Sequence, residues 1–245
     1  MSDREFIDEM LREWPYDPES LNVRVASGHD GREVIQMRVD LGVLQLEFEG
    51  RPDGTRPGGY ESLYDHLVAQ ALHDDDFELN EVDFDEIDRE FVQFYHRRIC
   101  WLRLQNYQKA VDDADHTIAL MDFCQEYSTH DQWILSHEQY RPFVLFHRTQ
   151  ASALVQLEDV GPEAAIEAIE VGLEKTRSFF ESHEADEHFG DDELVQRLVE
   201  LRDSLRVEYK LGDSLQEQLE SAIAAEEYER AAELRDEIAR RDFTH

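Results

Sequence analysis

Two histidines in the run His183-Glu184-Ala185-Asp186-Glu187-His188 come nearest to metal chemistry in this chain. A zinc-binding helix of the H-E-x-x-H kind places its histidines four apart, so that both imidazoles leave one face. Here the spacing is five, the rings diverge on a helix, and a polar linker is the better account. Asp74-Asp75-Asp76 concentrates carboxylates but lacks the D-x-D-x-D-G alternation that wraps a calcium ion, which leaves solvated charge. Cys100 and Cys124 form no C-x-x-C pair and fall in apolar helical contexts, as buried thiols do. Arg51 and Arg56 lie in the loop Gly50-Arg51-Pro52-Asp53-Gly54-Thr55-Arg56-Pro57-Gly58-Gly59. Guanidinium forks and backbone N–H groups suit an anion-binding loop. The competing account, a connector whose arginines pair with local acids, carries more weight. A phosphate loop, a G-x-S-x-G elbow and a cofactor fingerprint are all missing, so neither catalysis nor a cofactor is expected.

Charge narrows the partners. Fifty-eight acids face twenty-four bases, a formal charge of −34 over 245 residues. Such a field repels phosphate backbones, and no basic run offers a segregated face, so direct nucleic-acid binding is disfavoured. Only Lys109, Lys175 and Lys210 are lysines. Acid excess with scarce lysine fits a salty habitat or a GC-rich genome as well as it fits a function. The 41% hydrophobic fraction supports a core. Apolar runs stay far short of the ~20 residues of a membrane helix, and no secretory leader is apparent, so a cytoplasmic protein without a membrane contact is expected.

The elements that must position any site begin with an amphipathic helix over 2–14. Ser2 and Glu5 have capping-box spacing, Phe6, Met10 and Trp14 recur at helical intervals, and Pro15 and Pro18 close it. Val23 and Val25 lead through Ser27–Gly31 into Ile35, Met37, Val39 and Leu41, which alternate with polar residues as a half-buried strand does. The phase flips at Gly42, and Leu44, Leu46 and Phe48 continue. This predicts an antiparallel hairpin or three-stranded meander, too small to stand without helices. From Tyr60 onward the periodicity is helical, with Leu63, Leu67 and Ala71 opening it. The fold class expected is mainly α with a small N-terminal β meander. Three regions are expected: 1–76, a helical array over 77–189, and 190–245.

Within the array Phe94, Trp101, Tyr107, Ala110 and Thr117 stand at the large, large, aromatic, small and small positions of a tetratricopeptide repeat, which the segment resembles. Arg98 departs from that pattern, since the family sets a small residue at that crossing, and Asp122 replaces the closing proline. A looser second pair, Phe146, Ala153 and Leu157 followed by Ala165, Ile169 and Gly172, flanks the Gly161-Pro162 break. Between the pairs, roughly Phe123 to Pro142 is inserted. Beyond Gly190-Asp191-Asp192, Leu194, Leu198, Leu201 and Leu205 make an a/d-like stripe of coiled-coil type.

The last segment is the most specific. Ser214 and Glu217 have capping-box spacing ahead of Leu215, Leu219, Ala222 and Ile223. Then comes Tyr228-Glu229-Arg230-Ala231-Ala232-Glu233-Leu234-Arg235-Asp236-Glu237-Ile238. This closely resembles the UVR motif, F-E-x-A-A-x-L-R-D-x-I, with Tyr228 in place of the usual Phe. The resemblance implies an antiparallel helical hairpin in which Ala231 and Ala232 permit close approach and Tyr228, Leu234 and Ile238 form the apolar seam. Asp236 with Arg240, and Glu237 with Arg241, have the favourable i, i+4 order. In the family such hairpins join excinuclease subunits B and C, and similar ones occur in Clp-type ATPases and in activators of a bacterial protein-arginine kinase. Tyr228, Glu229, Ala231, Ala232, Arg235, Asp236 and Ile238 are therefore the expected protein-binding residues. The function expected is a non-catalytic adaptor that binds other proteins through the UVR hairpin and the tetratricopeptide-like helices, with a carrier of another UVR hairpin among the candidate partners and a homodimer as an open alternative. An accessory role in nucleotide excision repair is the second reading.

Overall fold

The computed structural model describes residues 7–212 and 215–242, except the side chains at 215–217, 220, 237, 239, 241 and 242. The expectations on Ser2, Glu5, Phe6, Ser214, Leu215, Glu217 and the Glu237–Arg241 pair lie outside the described residues. The fold is helical with one small sheet near its start. In order the elements are α1 (Ile7–Glu13), β1 (Asn22–Ser27), β2 (Glu33–Val39), β3 (Gly42–Glu47), α2 (Leu63–Ala71), α3 (Glu81–Arg103), α4 (Tyr107–Tyr127), α5 (Asp131–Glu138), α6 (Arg141–Asp159), α7 (Pro162–Ser182), α8 (Glu193–Tyr209), α9 (Leu215–Ala224) and α10 (Tyr228–Asp242). The chain divides into two compact units, Met1–Ala151 and Ser152–His245, with the division inside α6.

In the first unit the strands form an antiparallel meander, β1-β2-β3, with Val25 opposite Ile35 and Ile35 opposite Leu46. The alternation in β2 predicts one buried face, yet five consecutive residues, Val34 to Arg38, are buried. A central strand has neighbours on both sides, and here its second face is covered too. Ile35 and Met37 join Cys100, Trp101, Ala110 and Ala151 in an apolar core. On the opposite face Gln36 accepts from the Arg24 guanidinium at 2.9 and 2.8 Å, and Arg24 lies 4.3 Å over the Trp14 ring. The Arg38 guanidinium donates to the carbonyls of Trp14, Val39, Asp40 and Gly42. Buried polar side chains at these positions are thus satisfied ones. Leu41, expected to extend the strand, stands in the tight turn between β2 and β3 and is 90% exposed.

Helices α3 and α4 pack closely as an antiparallel pair. A second apolar core gathers Leu63 and Leu67 of α2, Ile87 and Phe91 of α3, Leu120, Phe123 and Cys124 of α4, and Val144 of α6. Both cysteines are buried, and burial pushes each thiol up to about 12, which keeps it protonated and inert. The inserted segment supplies the end of α4 and the short α5. There Phe84 stacks on Trp133 at 4.1 Å, and Asp88 accepts from Trp133 Nε1 and pairs with His137 Nε2, each at 2.9 Å.

Two buried polar centres lie between these helices. Glu90, fully buried, accepts from the backbone N–H groups of Leu63 and Tyr64 at 2.9 and 3.1 Å, the first two amides of α2. It also pairs with Arg51 Nε at 3.1 Å and His116 Nε2 at 3.0 Å. Ser62 accepts from Asp65 N, so helix start, loop and α3 are tied at one carboxylate. The second centre holds Arg97, which meets Asp113 at 2.7 Å and donates to the carbonyls of Glu47 and Gly50. Beside it Arg98, 1% exposed, donates to Thr117 Oγ1 at 3.0 Å and His147 Nδ1 at 3.4 Å. Arg98 fills a crossing where the tetratricopeptide pattern would leave room. Burial lowers its pKa to about 10.

The second unit contains α7, α8, α9 and α10. Helix α7 runs closely against α8, where Arg206 pairs with Glu170 at 3.0 Å. Asp192 caps α8 by accepting from the amides of Leu194 and Val195, and Val195, Leu198 and Leu205 are its buried residues. Helices α9 and α10 pack on each other as the expected hairpin.

Two measurements test the buried centres. Glu90→Ala removes a carboxylate that answers four donors and leaves Arg51 Nε and two helix-start amides without their acceptor, so it costs about 3–5 kcal/mol in urea unfolding. An unchanged midpoint would show that Glu90 is not the tie. His147 is the second case: burial first, then Arg98, lowers its pKa from 6.5 to about 4. The unfolded chain then takes up a proton below pH 6.5 that the folded chain refuses, so stability falls as pH drops from 6.5 towards 4. The loss from this group is about 3 kcal/mol. His147→Gln removes that slope, which parallel unfolding curves at pH 7 and 4.5 would reveal.

Candidate functional site

The hairpin of α9 and α10 is built on a helix end that needs no glycine. Glu226 sits in the left-handed region at φ 60°. Its N–H donates to the Ile223 carbonyl at 3.0 Å, and the N–H of Glu227 reaches the Ala222 carbonyl at 2.8 Å. These two bonds are the Schellman closure, which satisfies the last carbonyls of α9 and turns the chain straight into α10. A side chain at this φ costs about 1–2 kcal/mol relative to glycine. Gln105 and Glu184 close α3 and α7 with the same paired bonds and the same positive φ.

The two helices meet closely through small and aliphatic side chains among the described residues. Leu219 and Ala222 of α9 meet Ala231 and Leu234 of α10, and these make a cluster of their own. Ala231, Leu234 and Ile238 recur at i, i+3 and i+7, the seam-facing row of α10, and Ile238 is half-buried. Tyr228, Ala232 and Arg235 recur at i, i+4 and i+7 on the neighbouring row. That row faces outward: Tyr228 is 69% exposed, and Ala232, Arg235 and Asp236 are exposed as well. Tyr228 is thus absent from the seam in which the motif pattern places it. Only Ala231 of the two alanines supplies the close approach, because one helical residue turns the side chain by about 100°. Ile223, read from the sequence as part of the buried stripe of α9, is 53% exposed beside the turn.

The charged motif residues stay in water. Arg235 donates to the Asp236 carboxylate at 3.1 Å, an exposed pair of small energetic worth. Arg240 donates to the backbone carbonyl of Asp236 rather than completing the pair through side chains alone. Glu229 is exposed in the first turn, where its charge suits the helix N-terminus. Hence the structure brings Tyr228, Ala232, Arg235 and Asp236 onto one accessible surface and sets Ala231 and Ile238 towards the seam.

The Arg51–Arg56 loop has another geometry. Arg51 is buried, with its guanidinium among Asp53, Glu86 and Glu90 at 3.7, 3.0 and 3.1 Å and Thr55 Oγ1 at 3.1 Å. Arg56 is exposed and meets Glu61 at 2.9 Å. An open groove of about 610 Å³ beside the loop is lined by Arg32, Glu47, Phe48, Arg51, Arg56 and Glu61 among others. Its exposed arginines face carboxylates of the same groove, Arg32 with Glu47 at 2.9 Å and Arg56 with Glu61. The fork of Arg51 holds the loop against α3. At the histidine run, His183 Nδ1 meets the Phe179 carbonyl at 2.8 Å, while His188 is exposed in the following 3-10 turn, 3.7 Å from Glu187. Among the described residues no helix is long and apolar enough to cross a membrane.

Comparison with known families agrees with the hairpin. Residues 213–240 match the model of the UvrB/uvrC motif, UVR. No curated protein and no solved structure matches the chain. The chain therefore carries a UVR motif near its C-terminal end, and the tetratricopeptide-like pair remains a resemblance of pattern.

The two rows of α10 separate in a stability series. Leu234→Ala empties the seam and is expected to destabilise the hairpin by about 2 kcal/mol or more. Tyr228→Ala removes an exposed ring and is expected to stay within about 0.5 kcal/mol. Amide exchange of α9 and α10 measures both. Equal losses would place Tyr228 in the seam.

Proposed function

We propose that the chain is a non-catalytic interaction protein that binds partner proteins through the outward row of its UVR hairpin. The observation that carries this reading is Tyr228: the motif's aromatic stands 69% exposed, while the hairpin closes on Leu219, Ala222, Ala231 and Leu234 without it. An exposed aromatic beside a small residue and a paired Arg–Asp is the composition of a docking surface, where an aromatic anchor supplies most of the binding energy. A role without catalysis accords with the inert thiols and with Arg51 and Arg56, which pair with carboxylates of the chain itself. Nucleic acid is an unsuitable ligand for a chain of charge −34.

The motif's own description favours a second, narrower reading, an accessory factor of nucleotide excision repair whose partner carries a UVR hairpin of UvrB or UvrC type.

A pull-down from native lysate compares the intact chain with the Tyr228→Ala, Arg235→Ala double variant. A partner lost only from the variant is the expected result, and its identity chooses between the two readings. Identical recovery by both baits would assign the hairpin to the internal structure of the chain.

A further inference from the structure

The docking surface at the hairpin has a shape and a sign of charge, and together they specify the partner's chemistry. Tyr228 and Ala232 stand one turn apart on the outward row of α10, a large residue next to a small one. Such a step admits a ridge of another helix at close range. Across the Schellman turn Ile223 adds a second exposed apolar side chain. Around them Glu226, Glu227, Glu229 and Glu233 are exposed. The nearby arginines are neutralised locally, Arg230 by Glu227 at 3.6 Å and Arg235 by Asp236 at 3.1 Å. The surface is an apolar step in an acidic rim.

We propose, resting on the docking reading above, that this step receives a basic amphipathic helix of a different protein. A helix fits because the recognised features lie at i, i+4 spacing on a helical surface. Basic flanks fit because five exposed carboxylates, Glu226, Glu227, Glu229, Glu233 and Asp236, face two arginines, Arg230 and Arg235, and complementary potentials both attract the right partner and repel wrong ones. A second copy of this chain would bring the same acidic rim to face itself, at like-charge cost.

The probe is a synthetic amphipathic helix of leucine and lysine, about five turns long, with a twin in which glutamate replaces every lysine. Both are titrated by fluorescence anisotropy against the full chain, the Ile223→Ser, Tyr228→Ser variant, and a Leu41→Ser, Leu72→Ser control that alters exposed leucines elsewhere. The lysine helix is expected to bind the intact chain and the control alike, and the hairpin variant about tenfold or more weakly, as for loss of an anchor residue. Its affinity falls with added salt, and the glutamate twin does not bind. Equal binding to all three proteins overturns the proposal in favour of diffuse attraction to an acidic surface. Binding of the glutamate twin overturns the sign of charge. Sedimentation that shows a dimer lost on Tyr228→Ser overturns it in favour of a second copy. If lysate capture yields a Tyr228-dependent partner while the lysine helix fails, the docking reading stands and this inference falls.

Discussion

Glu90 is the point on which the first unit turns. A carboxylate with no solvent exposure would be costly to bury alone, by several kcal/mol even after relaxation. It is retained because three separate pieces of chain deliver donors to it: the start of α2, the loop at Arg51, and His116 of α4. Each of those pieces would otherwise leave buried polar groups without partners. The same logic repeats at Arg97, which gathers Asp113 with the carbonyls of Glu47 and Gly50. Small sheet, loop and helices are thereby held in one register by charge pairs as well as by apolar packing.

That architecture occupies its buried arginines with internal partners. Arg51, Arg97 and Arg98 look from their type like anion ligands, and their guanidinium groups are buried in internal ion pairs and hydrogen bonds. Two histidines follow the same rule: His116 stacks on Phe94 at 3.7 Å and His147 is kept neutral by burial and by Arg98. The hairpin of the second unit differs: its seam joins Leu219 and Leu234 to Ala222 and Ala231, and its aromatic faces away from it.

Legibility from the sequence varied with the kind of signal. The meander was visible in the period-two alternation of Ile35, Met37 and Val39, and the breaks at Gly161-Pro162 and Asp192 were visible because their residues have strong turn and cap preferences. The turn at Gln105-Asn106-Tyr107 is legible as well, but the left-handed conformation of Gln105, Glu184 and Glu226, a position usually given to glycine, is not. Arg98 stood out only as a departure from a repeat pattern. Its hydrogen bonds to Thr117 and His147 join residues 19 and 49 positions apart, a distance that no local pattern encodes.

By itself the sequence determined the helical class, the small antiparallel sheet and the UVR hairpin, because periodicity, turn chemistry and a long motif are local properties. Tertiary structure alone decided that Gln36 and Arg38 are buried, since burial on both faces of β2 depends on what other segments lay over it. It decided that Arg51 serves the fold, because Glu86 and Glu90 arrive from a helix more than thirty residues away. And it decided that Tyr228 faces solvent beside Ala232. Which row of a helix becomes the seam depends on its rotation against the partner helix, and only packing sets that angle.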